Sequence, residues 1–193
     1  MNVYDFDKTI YHGDSATHFW WFCAFRHPQT FLTLFGAAAP AAKALTGNLS
    51  RSELKHKLYR FLRHIDDPLR ETELFWDAHL SGIFPWYLNR KRDDDLIISA
   101  SPDFLIAEAC RRLGVAHLAT PMDIRTGALL GENCRGAEKV RRFREAYGDA
   151  HVEEFYSDAL SDLPMMQVAD RGYLVRNGAV LRQVETEKAA AYI

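Results

Sequence analysis

Apolar and polar positions divide the chain into three stretches with different periodicity. A short apolar run at residues 2–6 is typical of a buried strand. Residues 14–92 contain no comparable strand pattern, and their apolar positions recur at helical spacing between prolines. From residue 93 onward, short apolar runs alternate with amphipathic helical segments. This alternation predicts an α/β fold with a parallel sheet and helices on both faces.

The elements after residue 93 can be placed individually. Strands are predicted at residues 96–98, 115–119, 152–156 and 173–175, and helices at residues 102–113, 137–147 and 163–169. Residues 120–131 contain two glycines and are predicted to form turns or a small hairpin. Because residues 14–92 separate the first strand from the others, we predict one core formed by residues 1–13 and 93–193. Residues 14–92 are then a helical insertion in that core.

The composition and charge exclude several classes of protein. The 193 residues are 48% hydrophobic and 26% charged, which is typical of a globular protein and excludes a disordered or collagen-like chain. The 24 basic residues against 26 acidic ones give a net charge of −2, so no nucleic-acid partner is expected. The three cysteines are far apart and form no CxxC motif, which favours a reducing compartment over a disulfide framework or a zinc site.

No targeting or membrane-spanning segment is predicted. Asp5 and Asp7 lie inside the first predicted strand and leave no room for a signal peptide. The most apolar later run, residues 31–42, has 12 residues, whereas a spanning helix needs about 20. We therefore expect a cytoplasmic protein.

Residues 15–50 are unusually apolar for a surface segment. They contain seven aromatic residues and two formally charged ones. A small helical insertion has little interior, so part of this apolar surface is expected to stay exposed unless it is covered. Residues 51–70 carry a net charge of +3, which suits contact with anionic lipid. We therefore predict self-association through this segment or, as the alternative, peripheral contact with a membrane.

Residues near the ends of the predicted strands form a candidate site, because ligands bind at the carboxyl ends of the strands in an open parallel sheet. The chemically relevant ones are Asp5, Asp7, Ser99, Ala100, Lys139, Asp158 and Asp162. Carboxylates of this kind suit Mg²⁺, and a lysine, a hydroxyl and the backbone N–H groups at a helix start suit a phosphate. The set therefore predicts a site for a divalent cation and a phosphate.

The positions of these residues predict distinct roles. Asp5 and Asp7 are two residues apart in a strand and point the same way, so one carboxylate can attack phosphorus while the other transfers protons. Asp5 and Asp158 can supply oxygen ligands for Mg²⁺. Ser99 and the backbone N–H groups after it can bind phosphate oxygens, and Lys139 can neutralise charge beside them.

Four segments in the same order resemble the motifs of the haloacid dehalogenase superfamily. The run DFDKTI at residues 5–10 resembles its DxDxT motif, and residues 96–99 resemble its second motif. Lys139 resembles the third motif, and SDALSD at residues 157–162 resembles the DxxxD motif. The resemblance implies a Rossmann-like core, Mg²⁺ and an aspartyl-phosphate intermediate. It implies a phosphatase, because the DxD pair has its second aspartate.

Carried over to this sequence, the resemblance assigns a role to each candidate residue. Asp5 is the expected nucleophile and Asp7 the expected general acid and base. Asp5, Asp158 and the Asp7 backbone carbonyl are the expected Mg²⁺ ligands. Asp162 is expected to orient metal-bound water and Lys139.

The helical insertion resembles the type-one cap of the phosphoserine-phosphatase-like subgroup, so the expected substrate is a small phosphorylated metabolite such as phosphoserine. Residues 100–102 depart from that subgroup, because they replace its usual Gly-Gly pair. Asp14 stands where the subgroup has a glutamate that binds the substrate ammonium, and it is equally expected as the N-cap of the first inserted helix. The basic residue for the substrate carboxylate has no single match. The candidates are Lys55, Lys57 and Arg60.

Other functions stay open on the sequence. The run CRGAEK at residues 134–139 and the apolar start of the insertion also resemble bacterial phosphatidylglycerophosphate phosphatases, so a lipid phosphate is an alternative substrate. An inactive member that binds a phosphorylated ligand is a second alternative. Phosphate transfer to an acceptor other than water would depend on exclusion of water by the cap. Among the serines, Ser101 precedes Pro102 and is the better N-cap candidate, which leaves Ser99 for the phosphate.

Overall fold

The computed structural model describes residues 1–31 and 59–184, which form a six-stranded sheet with helices on both faces. The strands are β1 (Asn2–Tyr4), β2 (Leu96–Pro102), β3 (Ala116–Thr120), β4 (Glu154–Ser157), β5 (Arg171–Arg176) and β6 (Ala179–Val184). Their order is β3-β2-β1-β4-β5-β6; the first five are parallel and β6 is antiparallel to β5. The predicted α/β fold is confirmed, and the strand order is that of a Rossmann-like sheet.

The helices of the described residues follow the predicted alternation with the strands. They are α1 (Ser15–Arg26), α2 (Pro68–His79), α3 (Pro85–Leu88), α4 (Asp103–Leu113), α5 (Ala137–Tyr147) and α6 (Leu163–Met166). Short 3-10 turns lie at Pro28–Phe31, Arg60–His64, Leu80–Gly82 and Leu160–Asp162. Asp14 begins α1 by accepting a hydrogen bond from the Thr17 N–H at 2.8 Å. Gly114, with φ +68°, ends α4 in the left-handed conformation that glycine adopts without strain.

The two faces of the sheet bury two separate hydrophobic clusters, because successive side chains of a strand point to opposite faces. Tyr4 of β1 belongs to the first cluster and Val3 to the second. The first cluster also contains residues of α1, α2 and α4, and the Trp76 indole N–H donates to the Leu105 carbonyl at 2.8 Å. The second contains residues of α5 and α6, including Phe143. The described helices between β1 and β2 therefore share a core with one sheet face. The division into core and insertion stays a prediction.

Several boundaries differ from the sequence predictions for identifiable reasons. The last strand, β6, follows a turn at Asn177 and Gly178, whose φ values are +49° and +74°. An Asn-Gly pair is a strong signal for a two-residue hairpin, and the sequence analysis did not use it. Strand β2 continues to Pro102 rather than ending at residue 98, and α6 ends at Met166 rather than at residue 169. The predicted turn region at residues 120–131 contains an antiparallel bridge between Met122 and Leu129.

Part of the predicted insertion lies outside the described residues. This includes Lys55, Lys57 and most of the apolar segment at residues 15–50. Within its described part, Trp21 and Phe25 of α1 are 46% and 75% exposed, and their rings stack with centroids 5.7 Å apart. Among residues 1–31 and 59–184, no helix has the length and apolar character needed to cross a membrane.

Candidate active site

The first predicted site residue, Asp5, lies directly after the central strand of the sheet. Its backbone N–H donates to the Tyr156 carbonyl at 2.8 Å and so continues the pairing of β1 with β4. The backbone turns sharply after this point, and Lys8 adopts a φ of +59°, which is uncommon for a residue other than glycine. Asp5 is therefore at the strand end where the sheet order reverses, the usual ligand position in such folds.

A buried lysine connects two of the predicted carboxylates. The Lys139 ammonium lies 2.6 Å from Asp5 Oδ1 and 2.6 Å from Asp162 Oδ2, and the lysine side chain is 1% exposed. Asp162 is held in place by the Ser157 hydroxyl at 2.9 Å and by the Gly136 N–H at 3.2 Å. Lys139, Asp5 and Asp162 form a buried triad with two negative charges and one positive charge. The net negative charge favours an additional cation nearby.

The buried environment shifts the pKa values of Lys139 and Asp5. Burial alone would lower the pKa of Lys139, but the charges of Asp5 and Asp162 outweigh burial and raise it, so the amine stays protonated. Burial raises the pKa of the Asp5 carboxyl, and the positive charge of Lys139 opposes this effect. Lys139 thus stabilises the ionised Asp5 that a nucleophile requires.

The second aspartate of the DxD pair is oriented by two donors. Asp7 accepts a hydrogen bond from the Ser15 N–H at 2.6 Å and another from the Ser101 hydroxyl. Burial raises the pKa of the Asp7 carboxyl to about 6, and the negative charge of Asp14 adds to the effect. A carboxyl with a pKa near neutrality can both give and take a proton at physiological pH.

The Thr9 hydroxyl links the first and fourth motifs. It donates to Asp5 Oδ2 at 3.1 Å and accepts from the Asp158 N–H at 2.9 Å. Burial raises the pKa of the Asp158 carboxyl, and the positive charge of nearby Lys8 opposes it. One hydroxyl therefore joins the Asp5 carboxylate to the backbone of Asp158, the other residue predicted to bind metal.

Asp5 and Asp158 line the same cavity, so their carboxylates can bind one metal ion together. No group of three or more His, Cys, Asp or Glu side chains in the described ranges is arranged as a ligand set. Mg²⁺ is commonly bound through one or two carboxylates and keeps several waters, so this donor set fits the ion. Zinc usually takes three or four protein ligands that include histidine or cysteine, so the two carboxylates fit Mg²⁺ better.

The cavity has a volume of about 600 Å³ and collects most of the predicted site residues. Those that line it are Asp5, Asp7, Asp14, Ala100, Lys139, Asp158 and Asp162. Ser99 is 1% exposed and does not line it; its Oγ accepts from the Ser101 N–H at 3.0 Å. Arg60 is exposed and also lies outside the cavity wall, whereas its neighbours Tyr59 and Phe61 line it. Lys57 lies outside the described residues.

Other lining residues were not predicted as part of the site. They include Lys8, Trp20, Tyr59, Ser101, Asn133, Arg135 and Ser161. Ser101 was expected to cap α4, but Pro102 occupies the N-cap position and the Ser101 hydroxyl turns to Asp7 instead. The signal for Arg135 and Ser161 was present in the sequence, because each lies within four residues of a predicted site residue.

Comparison with known proteins identifies the family. A family model described as haloacid dehalogenase-like hydrolase matches residues 3–167. The chain belongs to the haloacid dehalogenase-like hydrolases. The resemblance inferred from the four motifs is thereby confirmed.

Two individual proteins are similar to this chain in sequence. Protein CicA of Caulobacter vibrioides (strain NA1000 / CB15N) is 38% identical over 91 residues, which cover 43% of this chain and 41% of that protein. The match thus spans less than half of CicA. Phosphoserine phosphatase SerB1 of Mycobacterium tuberculosis (strain ATCC 25618 / H37Rv) is 26% identical over an alignment of 208 positions, which covers 96% of this chain and 67% of that protein.

Among solved structures, a protein with unknown function from Bordetella pertussis Tohama I superposes with a TM-score of 0.71. The superposition covers 90% of this chain and 88% of that chain at 18% sequence identity. At this identity the likeness concerns the fold alone, and it agrees with the Rossmann-like sheet described above.

Proposed function

We propose that the protein is a Mg²⁺-dependent phosphomonoester hydrolase. The observation that carries the proposal is the Lys139 ammonium placed 2.6 Å from both Asp5 and Asp162 on the wall of a cavity that Asp7 and Asp158 also line. Such a cavity offers a nucleophilic carboxylate, a proton donor and positive charge for a phosphate. The name of the relative SerB1, phosphoserine phosphatase, supports the same class of reaction.

The first half of the proposed reaction transfers the phosphoryl group to the enzyme. A carboxylate oxygen of Asp5 forms a bond to phosphorus, and the bond between phosphorus and the leaving oxygen breaks. Asp7, protonated at this stage, gives its proton to the leaving oxygen. Lys139 neutralises part of the charge that develops beside Asp5.

The second half returns the enzyme to its starting state. Asp7, now ionised, takes a proton from water, and the water oxygen attacks the phosphorus of the aspartyl phosphate. The bond between phosphorus and Asp5 breaks, and inorganic phosphate leaves. Mg²⁺ held by Asp5, Asp158 and the Asp7 backbone carbonyl would reduce the repulsion between the carboxylate and the phosphate. The expected phosphate contacts on the cavity wall are Lys139 and the backbone at Ala100, whereas Ser99, which the sequence predicts as a third contact, does not line the cavity.

The substrate we propose is a phosphorylated small molecule, with phosphoserine as the class implied by the subgroup resemblance. A lipid phosphate is the second candidate, because Trp21 and Phe25 expose apolar surface on α1. The same exposure supports self-association or peripheral membrane contact through α1. Light scattering with and without anionic vesicles distinguishes self-association from membrane contact. A protein that stays monomeric and does not bind vesicles would contradict both.

Hydrolysis of an aryl phosphate by the purified chain tests the proposed reaction. Asp5→Asn is expected to abolish measurable turnover, and Asp7→Asn is expected to lower it by about 10²- to 10⁴-fold. Asp149→Asn is the matched control, because Asp149 is fully exposed and pairs only with Arg144 at 3.0 Å among the described side chains. Excess chelator is expected to stop turnover, and added Mg²⁺ to restore it.

Two results would contradict the proposal. Turnover that continues undiminished in excess chelator would remove the role of Mg²⁺. A near-normal rate in Asp5→Asn would show that the nucleophile lies elsewhere.

A further inference from the structure

Arg135 places a positive charge on the cavity wall that the proposed chemistry does not use. It lies in the loop before α5 and is half-buried, so a ligand in the cavity can reach it. The other described cations on the wall are Lys8 and Lys139. Lys139 is bound by two carboxylates, and Lys8 is the cation that most opposes the raised pKa of Asp158. These two lysines act on the side of the phosphate and the metal, which leaves Arg135 without an assigned role.

The loop that carries Arg135 is held in place by contacts with the fourth motif. The Gly136 N–H donates to Asp162 Oδ1 at 3.2 Å, and a Cβ added at Gly136 would lie 3.1 Å from the Ser161 carbonyl oxygen. Gly136 has φ +59° and ψ −126°, a conformation that other residues adopt only with strain. The loop therefore packs closely against the turn at Leu160–Asp162, and the Arg135 side chain starts from a fixed backbone position.

The Arg135 guanidinium contacts a neutral partner. Its Nε donates to Ser161 Oγ at 3.3 Å, and Ser161 lines the same cavity. A hydroxyl does not compensate the positive charge, and this contact uses one of the five N–H donors of the guanidinium. Taking a charged group partly out of water costs free energy unless an opposite charge approaches it. The position therefore favours an anionic group of a ligand beside Arg135.

The reacting phosphate is expected at the other end of a chain of contacts. Asp5, the proposed nucleophile, contacts Lys139, and Lys139 contacts Asp162. The loop of Arg135 joins this chain at Asp162. Lys139 is the cation that lowers the pKa of Asp5 most, as expected for the nearer charge. We infer from this order that Arg135 faces the part of the substrate beyond the phosphate, which is the leaving group.

We propose that Arg135 determines specificity, and that its guanidinium binds a carboxylate on the leaving group of the substrate. A carboxylate matches the single charge of one guanidinium, and its two oxygens fit the planar arrangement of the N–H donors. The cavity volume of about 600 Å³ leaves room for such a leaving group beside the phosphate. The inference rests on the proposed phosphomonoester hydrolysis. It assigns recognition of the leaving group to the loop before α5 rather than to the basic residues of the predicted insertion.

Two esters with three-carbon leaving groups test the substrate class on the wild-type chain with Mg²⁺. The leaving group of 3-phosphoglycerate has a carboxylate where that of glycerol 3-phosphate has an uncharged hydroxymethyl group. We expect kcat/KM to be at least about 10-fold higher for 3-phosphoglycerate. Equal values, or a preference for glycerol 3-phosphate, would overturn the inference and leave the proposed hydrolysis intact.

Arg135→Gln tests the residue itself. It is expected to lower kcat/KM for 3-phosphoglycerate by about 10- to 100-fold, mainly through KM, and to leave glycerol 3-phosphate and an aryl phosphate within about 3-fold. Arg135→Lys keeps the charge without the planar fork and is expected to lower the same value by about 3- to 10-fold. An equal loss on all three esters would place Arg135 at the reacting phosphate and overturn the inference, as would no loss on any of them.

The matched control is Arg144→Gln, which removes the same charge from a position on α5 outside the cavity wall. Arg144 pairs with Asp149 at 3.0 Å, and its side chain is 43% exposed. This variant is expected to leave all three esters unaffected. Thermal unfolding of each variant shows that it folds, and Arg135→Lys carries the test if Arg135→Gln unfolds.

Lys55→Gln and Lys57→Gln test two basic residues that lie outside the described ranges. Each is expected to change kcat/KM for 3-phosphoglycerate less than Arg135→Gln does. A preference for the carboxylate that disappears in either lysine variant and persists in Arg135→Gln would overturn the inference.

A binding measurement keeps the inference separate from the chemistry. Calorimetric titration of 3-phosphoglycerate into the Asp5→Asn chain, with and without Arg135→Gln, measures recognition in the absence of turnover. We expect Arg135→Gln to weaken the Kd by about 10- to 100-fold and to leave the Kd of inorganic phosphate within about 3-fold. Unchanged affinity for 3-phosphoglycerate would overturn the inference, whereas failure of the proposed hydrolysis would show itself as absence of wild-type turnover on every ester.

Discussion

Ser99 and Ser101 illustrate how one irregularity in a strand decides which hydroxyl reaches the cavity. Side chains two apart in a regular strand point the same way, so both serines satisfy the sequence pattern. The register of β2 against β3 shifts between Ile98 and Pro102. Ser101 then lines the cavity and donates to Asp7, while Ser99 stays buried behind it. Such a shift has no signature in the sequence of this strand.

We expect the single substitution Ser101→Ala to lower kcat for an aryl phosphate by about 10-fold. The reason is that Asp7 loses the hydroxyl that orients its carboxylate, while its other donor, the Ser15 N–H, remains. Ser99→Ala is the comparison, measured by the same steady-state kinetics. A larger loss in Ser99→Ala, carried by KM, would instead support the phosphate contact at Ser99 that the sequence predicts.

The residues of the site differ in how far they were predictable. Asp5, Asp7 and Asp158 could be predicted from the sequence because they come soon after strands, and a parallel sheet brings the ends of its strands together. Tyr59 and Arg60 were not, because a 3-10 turn decides which of two neighbours faces the cavity. The same turn geometry brought Arg60 to the surface, although its charge made it a candidate for the substrate carboxylate.

At the scale of elements, an ion pair joins the end of α1 to the start of α2. Both oxygens of Glu71 contact the Arg26 guanidinium, at 2.7 and 3.2 Å, and His27 Nε2 lies 3.1 Å from Glu71 Oε1. The Glu71 side chain is 9% exposed. Burial raises the pKa of Glu71, but its hydrogen bonds with Arg26 and the nearby His27 imidazole outweigh burial and hold the pKa below the ordinary value of 4.5.

This pair gives a pH dependence with a definite sign. Because the folded state lowers the pKa of Glu71, the stabilisation is present above pH 4.5 and is lost as the pH falls through the lower folded value. Glu71→Gln is expected to lower the free energy of unfolding by about 1–3 kcal/mol at neutral pH, and by progressively less below about pH 4.5. Urea unfolding at several pH values measures the difference.

The control for that series is Glu73→Gln on the same helix. Glu73 pairs with Arg70 at 2.8 Å, and both side chains are about half exposed. The exposed pair is expected to contribute less than about 1 kcal/mol. A loss in Glu71→Gln that is independent of pH would attribute the effect to packing and contradict the role of charge.

Elements were predictable to the extent that their signals are local. Helix α5 matches its prediction at both ends, because glycines stand on either side of an amphipathic run. Strand β6 was not predicted, because its mostly exposed residues lack the apolar alternation that marks a half-buried strand. Its Asn177-Gly178 turn is a local signal that could have revealed it. The lengths of β2 and α6 depend on pairing and packing partners distant in sequence.

At the scale of the whole molecule, the hydrophobic cluster on one sheet face is continuous with the described helices between β1 and β2. Phe19 and Phe75 from these helices belong to the same cluster as Tyr4 and Ile97 from the sheet. The order of strands in the sheet was not predictable, because alternation of strands and helices fits more than one order. The side chains that α2 presents to α4 could not be predicted from either helix alone.

This continuity predicts one cooperative unfolding transition for the chain. We expect the calorimetric enthalpy of thermal unfolding to equal the van't Hoff enthalpy, and far-ultraviolet circular dichroism to show the same midpoint. The comparison uses the full chain. An earlier, separate transition would show that the helices between β1 and β2 form a cap that folds independently of the sheet.

The placement of three of the four tryptophans has a practical consequence. Trp76 is fully buried, Trp21 is 46% exposed, and Trp20 lies on the cavity wall with its Nε1 unpaired among the described residues. Indole emission responds to the polarity around the ring, so the light that Trp20 emits depends on what fills the cavity that its side chain lines. The chain therefore contains its own fluorescent probe, and occupancy of the site can be followed without any label.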